Sequence, residues 1–157
     1  MTPAEIQRRL QEKFAAAISD FAEPNAGDPC IGVAPDKLHA VCLLLRSDPQ
    51  FDFDFLKIVS ALDLGDRYAS VYHLYSYRHG HSLTLKTELA RENPQVESVS
   101  DIWPAANWHE REAFDMMGIV YSGHPELKRI LLPLDWDGHP LRKDYKEPQS
   151  YHGIRND

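Results

Sequence analysis

The chain has 157 residues, with 17 Lys and Arg against 24 Asp and Glu, a formal net charge of −7. That balance opposes nucleic-acid binding, because a phosphate backbone has to be neutralised by clustered basic side chains. Its content of 43% hydrophobic and 10% aromatic residues argues against disorder, and its length fits one domain with a core plus an extension.

No apolar run approaches the roughly 20 residues of a membrane-spanning helix, and the opening Met1-Thr2-Pro3-Ala4-Glu5 shows no signal or transit pattern. A soluble protein that stays in the compartment where it is made is expected. Cys30 and Cys42 fall short of the four thiolates of an iron–sulfur cluster or a Cys-rich zinc site. Both are read as buried small residues in a reduced cytosol.

Residues 4–21 place Ile6, Leu10, Phe14, Ala17 and Phe21 at steps of three and four, which predicts an amphipathic helix starting at Thr2-Pro3 and ending before Pro24. Asn25, Gly27, Asp28 and Pro29 make a loop, and residues 30–34 a short buried strand. Pro35-Asp36 opens a second helix through Leu45, with Leu38, Val41, Cys42 and Leu45 on one face and Ser47-Asp48-Pro49 closing it.

The period then changes from helical to alternating. Residues 55–64, 67–77 and 82–89 read as three strands. In the second, Tyr68, Ser70, Tyr72, Leu74 and Ser76 share one face, and Val71, His73, Tyr75 and Tyr77 the other. Turns at Gly65-Asp66 and His79-Gly80-His81 make the strands an antiparallel meander, with the two earlier helices on one face. The expected fold is α+β, a two-layer sandwich of a mostly antiparallel sheet with helices on one face, followed by an extended C-terminal tail.

A third helix is predicted over residues 105–117, its start set either by Asn107 and Glu110 as a capping pair or earlier by Pro104, with Gly118 as the stop. Ala106, Ala113, Phe114 and Met117 form its apolar side and face the core. Arg111 pairs with Asp115 at i,i+4, while Glu110, Arg111 and Glu112 stay exposed or meet an interface. The division is 1–118 for the α+β domain and 119–157 for the tail.

That tail carries Ile130, Leu131, Leu132, Leu134, Trp136 and Leu141. It is too apolar to remain in water and too irregular for a second core. Docking on a partner is the favoured reading, and folding back over its own sheet is the alternative.

Catalytic patterns are incomplete. His109-Glu110 begins the zinc motif H-E-x-x-H, but Ala113 stands where the second histidine belongs. His79 and His81 flank a turn glycine and read as solvated turn residues. Glu112 and Asp115 are neighbours, yet Arg111 beside them would keep both ionised, against the needs of an acid catalyst. There is no nucleotide-binding glycine fingerprint. A metal-dependent hydrolase built on His79, His81, His109 and His124 is the reading from another class.

Three blocks carry a resemblance: Glu110-Arg111-Glu112-Ala113-Phe114-Asp115-Met116-Met117-Gly118-Ile119, then His124-Pro125-Glu126-Leu127-Lys128-Arg129-Ile130-Leu131, then Gly138-His139-Pro140-Leu141-Arg142-Lys143-Asp144-Tyr145. In this order and spacing they resemble the C subunit, also called the thirty-kilodalton subunit, of bacterial respiratory complex I. The departures are Lys128, where an arginine is usual, and Met117, where an aromatic is common.

The resemblance implies a structural and assembly subunit of a proton-translocating NADH:quinone oxidoreductase. It would carry no cofactor and no catalytic residue of its own. NADH, FMN, the iron–sulfur clusters and quinone would be used elsewhere in the complex. The implied partners are the quinone-site subunit, the forty-nine-kilodalton chain of the complex, and the cluster-bearing subunits. The implied location is the cytoplasmic face of the bacterial inner membrane, held there through the complex. Interface residues are expected among Glu110, Arg111, Glu112, Asp115, His124, Lys128, Arg129, Arg142, Lys143 and Asp144. Related subunits occur in membrane-bound hydrogenases and in deazaflavin- or ferredoxin-linked complexes, which are the alternative parents.

Overall fold

The computed structural model describes residues 1–22 and 29–156, with backbone alone at 20–22. Helix α1 (Pro3–Phe14) starts at a capping box, in which Thr2 Oγ1 accepts the Glu5 amide and the Glu5 carboxylate accepts the Thr2 amide. It buries Ile6 and Leu10. The helix stops seven residues short of the expected end. Ala15 takes a φ of +45°, a 3-10 turn covers Ala15–Ala17, and strand β1 (Ile18–Ala22) follows. The helical spacing of Ala17 and Phe21 is outweighed by pairing of β1 with β2 (Cys30–Val33), a tertiary override of local propensity. The predicted stop at Pro24 and the loop residues Asn25, Gly27 and Asp28 lie outside the described residues.

A 3-10 turn over Pro35–Lys37 leads into α2 (Leu38–Ser47), whose buried face is Leu38, Val41, Cys42 and Leu45 as its spacing predicted. Strands β3 (Phe55–Asp63), β4 (Arg67–Ser76) and β5 (His81–Ala90) form the antiparallel meander. The five-stranded sheet has the order β1-β2-β5-β4-β3, and β2 runs parallel to β5. One face is core, with Tyr68, Tyr72, Leu74, Leu83 and Leu85 all buried in one apolar cluster that also takes in residues of both helices. The other is open, and Phe55, Ile58, Leu62 and Tyr77 are exposed on its strands and turn. The architecture is the two-layer α+β sandwich expected from the alternation.

Beyond β1, four more short strands depart from the sequence expectation. Strand β6 (Gln95–Glu97) pairs in parallel with β7 (Val120–Ser122), and the helix between them, α3 (Ala106–Met117), is the crossover that a parallel pair requires. A final hairpin joins β8 (Ser150–Tyr151) to β9 (Ile154–Arg155). Trp103 fixes the entry to α3 by donating its indole N–H to the Phe53 carbonyl at 3.0 Å in the interior. Of the two thiols, Cys42 is buried as expected, while Cys30 is only half-buried.

Candidate docking surface

Helix α3 does not present the face that its charges suggested. Its N-cap is Ala105, with no side-chain cap bond. Glu110, expected to cap or to lie exposed, is fully buried. The Glu110 carboxylate accepts from Ser98 Oγ at 2.5 Å and from the Val99 amide at 2.8 Å, so it closes the turn before the helix from inside. Asp115 is also fully buried, whereas Phe114, placed on the core side by the sequence, is half-buried and meets the His139 ring edge-on. Met117 does face the core.

Asp115 organises the tail. Its Oδ2 accepts three successive amides, Ile130 at 3.0 Å, Leu131 at 2.8 Å and Leu132 at 2.9 Å, and Oδ1 takes Arg129 Nη1 at 2.7 Å. Burial alone would raise this carboxyl, but the amides and the guanidinium outweigh it and hold the group below its ordinary value. Arg129 also donates to the carbonyls of Trp136 and Gly138. The expected Arg111–Asp115 pair is replaced: Arg111 reaches the carbonyls of Lys128 and Arg129 instead. Those carbonyls fix the strand of tail that runs beside α3.

A second carboxylate secures the tail further along. Asp63, at the end of β3 with its side chain 2% exposed, binds Arg91 at 2.8 Å and accepts the Lys143 amide at 2.8 Å and the Gly65 amide at 2.9 Å. Burial works against ionisation here too, yet Arg91 and the two amides bring the carboxyl down to about 2. Arg91 also grips Asp144 at 2.9 Å. The Tyr68 ring lies under the guanidinium groups of both Arg91 and Arg142. Arg142 donates Nε–H to the Met117 carbonyl at 2.7 Å, which satisfies one of the orphan carbonyls of the helix end. Gly118 has φ +72°, and a Cβ there would run into Arg142 and His139, so only glycine lets the tail lie this close.

The sequence-predicted interface residues therefore separate into two groups. Glu110, Asp115, Arg129 and Arg142 are engaged within the chain, as are Arg111 and His124, whose Nε2–H donates to the Asn107 carbonyl at 3.0 Å. Glu112, Lys128, Lys143 and Asp144 are exposed, with Asp144 also held by Arg91 and Lys128 paired with Glu126 at 2.6 Å. The same helix and tail also expose large apolar side chains: Trp108 at 69%, Leu131 at 61%, Leu134 at 78% and Leu141 at 58% exposure. Trp108 and Glu112 are one turn apart on α3. Glu112, Leu141, His109 and Met116 border a shallow groove of about 180 Å³ against Ile58 and Ala61 of β3.

The four histidines of the hydrolase reading are not brought together. His79 and His81 stack on one another and bond the carbonyls of Pro49 and Phe51, His109 borders the α3 groove, and His124 is held at the root of the tail. Among the described residues no group of three or more His, Cys, Asp or Glu is placed to hold a metal ion, and no helix is long and apolar enough to cross a membrane.

The family model described as respiratory-chain NADH dehydrogenase, 30 Kd subunit, matches residues 31–151. The chain belongs to that family. Curated relatives named as the C subunit of NADH-quinone oxidoreductase include one from Chloroherpeton thalassium, 45% identical over 94% of this chain. Another, from Roseiflexus castenholzii, is 48% identical over 88% of this chain and 81% of its own length. The chain spans 62% of the length of the Chloroherpeton protein. Among solved structures, a trypsin-resistant fragment of Nqo5 is similar with a TM-score of 0.66 and 26% identity, covering 78% of this chain and 98% of the fragment. An archaeal respiratory membrane complex, the membrane-bound sulfane sulfur reductase, contains a chain of the same fold at TM-score 0.74 and 23% identity, covering 91% of this chain and 85% of its own.

Within this member of the family, one buried acid is legible in the sequence and one is not. Ala106, Glu110, Ala113 and Met117 stand at i, i+4, i+7 and i+11, so Glu110 occupies a position in the buried stripe, and helical spacing alone marks it as inward. Its charge points the other way, and periodicity is the better guide there. Asp115 has no such local mark, because its partners lie 14 to 17 residues away and only the path of the tail brings them in.

Proposed function

We propose that this chain is the C subunit of a proton-translocating NADH:quinone oxidoreductase. It docks in the peripheral arm on the forty-nine-kilodalton quinone-site subunit and beside the cluster-bearing subunits. It contributes shape and attachment rather than chemistry. FMN, iron–sulfur clusters, NADH and quinone are handled by the other subunits, and the complex holds this one at the cytoplasmic face of the membrane.

The observation that carries the reading is the exposed surface of α3 and the tail. Trp108, Leu131, Leu134 and Leu141 stand in water on a segment whose backbone is already fixed by Asp115 and Asp63. A rigid irregular segment bearing large apolar side chains at its surface has the make-up of an interface core. Glu112, Lys128 and Lys143 supply a charged rim. Preorganisation of the tail lowers the entropy that binding would otherwise cost.

The test is to tag the chain in its native cell, purify it from membranes in mild detergent, and identify what accompanies it. The quinone-site subunit and NADH–quinone reductase activity should co-elute, and the chain expressed alone should carry no flavin or iron. Recovery without the quinone-site subunit from membranes whose NADH oxidation is intact would remove the proposal.

A further inference from the structure

Glu110 differs from the other carboxylates that are buried on folding. Asp63 and Asp115 each hold a guanidinium. Around Glu110 the facing groups are Ser98, the Val99 amide and Asp101 from the turn before α3, Cys42 from α2, Tyr72 from β4, Tyr121 from β7 and His124 from the root of the tail. None of these is Lys or Arg. Asp101 is itself paired with His39 at 2.9 Å. His124 has Nε2 4.0 Å from Glu110 Oε2, but its Nδ1 accepts the Glu126 amide at 3.0 Å. That bond places the ring proton on Nε2, where it is donated to the Asn107 carbonyl at 3.0 Å.

A buried carboxylate with hydrogen bonds but no cation gains by taking a proton. Burial pushes the Glu110 carboxyl up, the nearby Asp101 adds to the effect, and Ser98 and Val99 oppose it, with the balance at about 7.

A path to solvent exists beside it. Ser98 Oγ lies 2.5 Å from Oε2 and 2.8 Å from Ser100 Oγ, and either serine hydroxyl can be the donor between them. Ser98 is buried and Ser100 is half-buried. Ser98 Oγ also accepts the Ser100 amide at 3.2 Å, which fixes the spacing of the two hydroxyls.

We propose that Glu110 is a buried proton-binding site filled from solvent through the hydroxyls of Ser98 and Ser100. In the empty state Ser100 donates to Ser98, and Ser98 donates to the carboxylate. On filling, solvent gives a proton to Ser100 Oγ, Ser100 passes its own to Ser98 Oγ, and Ser98 passes its own to Oε2. The new O–H bond on Glu110 then points back at Ser98. Each hydroxyl ends with one proton, and the net change is one proton moved from solvent to the carboxylate with no heavy atom displaced. The site lies where the turn before α3, the helix and the root of the tail meet, so its charge is felt at the joint between domain and tail.

The test is a pH titration of the full chain labelled with ¹³C at glutamate carboxyl carbons. One resonance should titrate with a midpoint near 7 and be missing in Glu110→Gln. Ser98→Ala, which removes a donor to the carboxylate, should move that midpoint higher. Ser100→Ala should leave the midpoint in place and slow proton exchange at the site. Glutamates that all titrate in the ordinary carboxylate range, or a shifted resonance that survives in Glu110→Gln, would overturn the site. An unmoved midpoint in Ser98→Ala, or unchanged exchange in Ser100→Ala, would overturn the path. Should Glu110→Gln fail to fold, Glu110→Asp is the second variant, and the resonance with a midpoint near 7 should vanish from its glutamate-labelled spectrum. Survival of that resonance would overturn the site.

Discussion

Among the described residues three acidic side chains are buried, Asp63, Glu110 and Asp115, and their partners give them opposite pH behaviour. Asp115 satisfies three amides and a guanidinium, so removing it strands a buried cation and three donors. Asp115→Ala should cost about 3–5 kcal/mol in urea unfolding, and a loss under about 1 kcal/mol would show that the tail anchor is not as described. Asp63, with its carboxyl brought down to about 2 from an ordinary 3.8, contributes stability that is present above that ordinary value and is lost as pH falls toward 2. Glu110 has the reverse sign. Its carboxyl is raised from 4.5 to about 7, so the folded state holds a proton that the unfolded chain has released. Stability from this site is present below pH 4.5 and declines as pH rises to 7, by roughly 3 kcal/mol in all. Burial lowers His81 and His139, which works in the opposite direction, so in urea unfolding across pH 4 to 8 the decline should appear as a loss of wild-type stability relative to Glu110→Gln. The same slope in both proteins would contradict the assignment.

At the scale of the element, α3 shows why a charged helix is hard to read. The stripe of Ala106, Glu110, Ala113 and Met117 follows helical spacing, and only the acid among those four departs from the expected burial. Charge is a poor mark of the surface, because a buried carboxyl is accommodated where a cation and donors hold it ionised, as at Asp115, or where it can take a proton, as at Glu110. Phe114 departs for the converse reason, since its size suggests the core while its angle on the helix points it at His139. Met117→Ala should therefore cost about 2–5 kcal/mol and Phe114→Ala less. The opposite order in denaturant unfolding would mean that the stripe is rotated. Gly118→Ala meets both a left-handed φ and the side chains of Arg142 and His139. The backbone alone should cost about 1–2 kcal/mol, and the tail should become more open to protease. A variant as stable and as resistant as wild type would show that the tail does not lie against the helix end.

Across the whole molecule, the meander is legible because three β-rich runs are joined by two short turns that leave little choice of topology, although Ala69 and Val71 on the opposite face of β4 are buried as well as Tyr68, Ser70, Tyr72 and Leu74. Strands β1, β6 and β7 are not, because five residues or fewer carry no reliable period and their partners are distant in sequence. The docking residues are half legible. The charged block points to the right helix and tail, but only the structure separates Asp115, Arg129 and Arg142, which hold the tail in place, from Trp108, Glu112, Lys143 and Leu141, which face outward. That separation fixes the choice of test. Trp108→Asp combined with Leu141→Asp changes two side chains 69% and 58% exposed, so unfolding of the isolated chain should stay within about 1 kcal/mol of wild type. Co-purification of the tagged double variant with the quinone-site subunit should fall at least tenfold. Recovery of that subunit at the wild-type level, with the chain folded, would contradict docking through α3 and the tail.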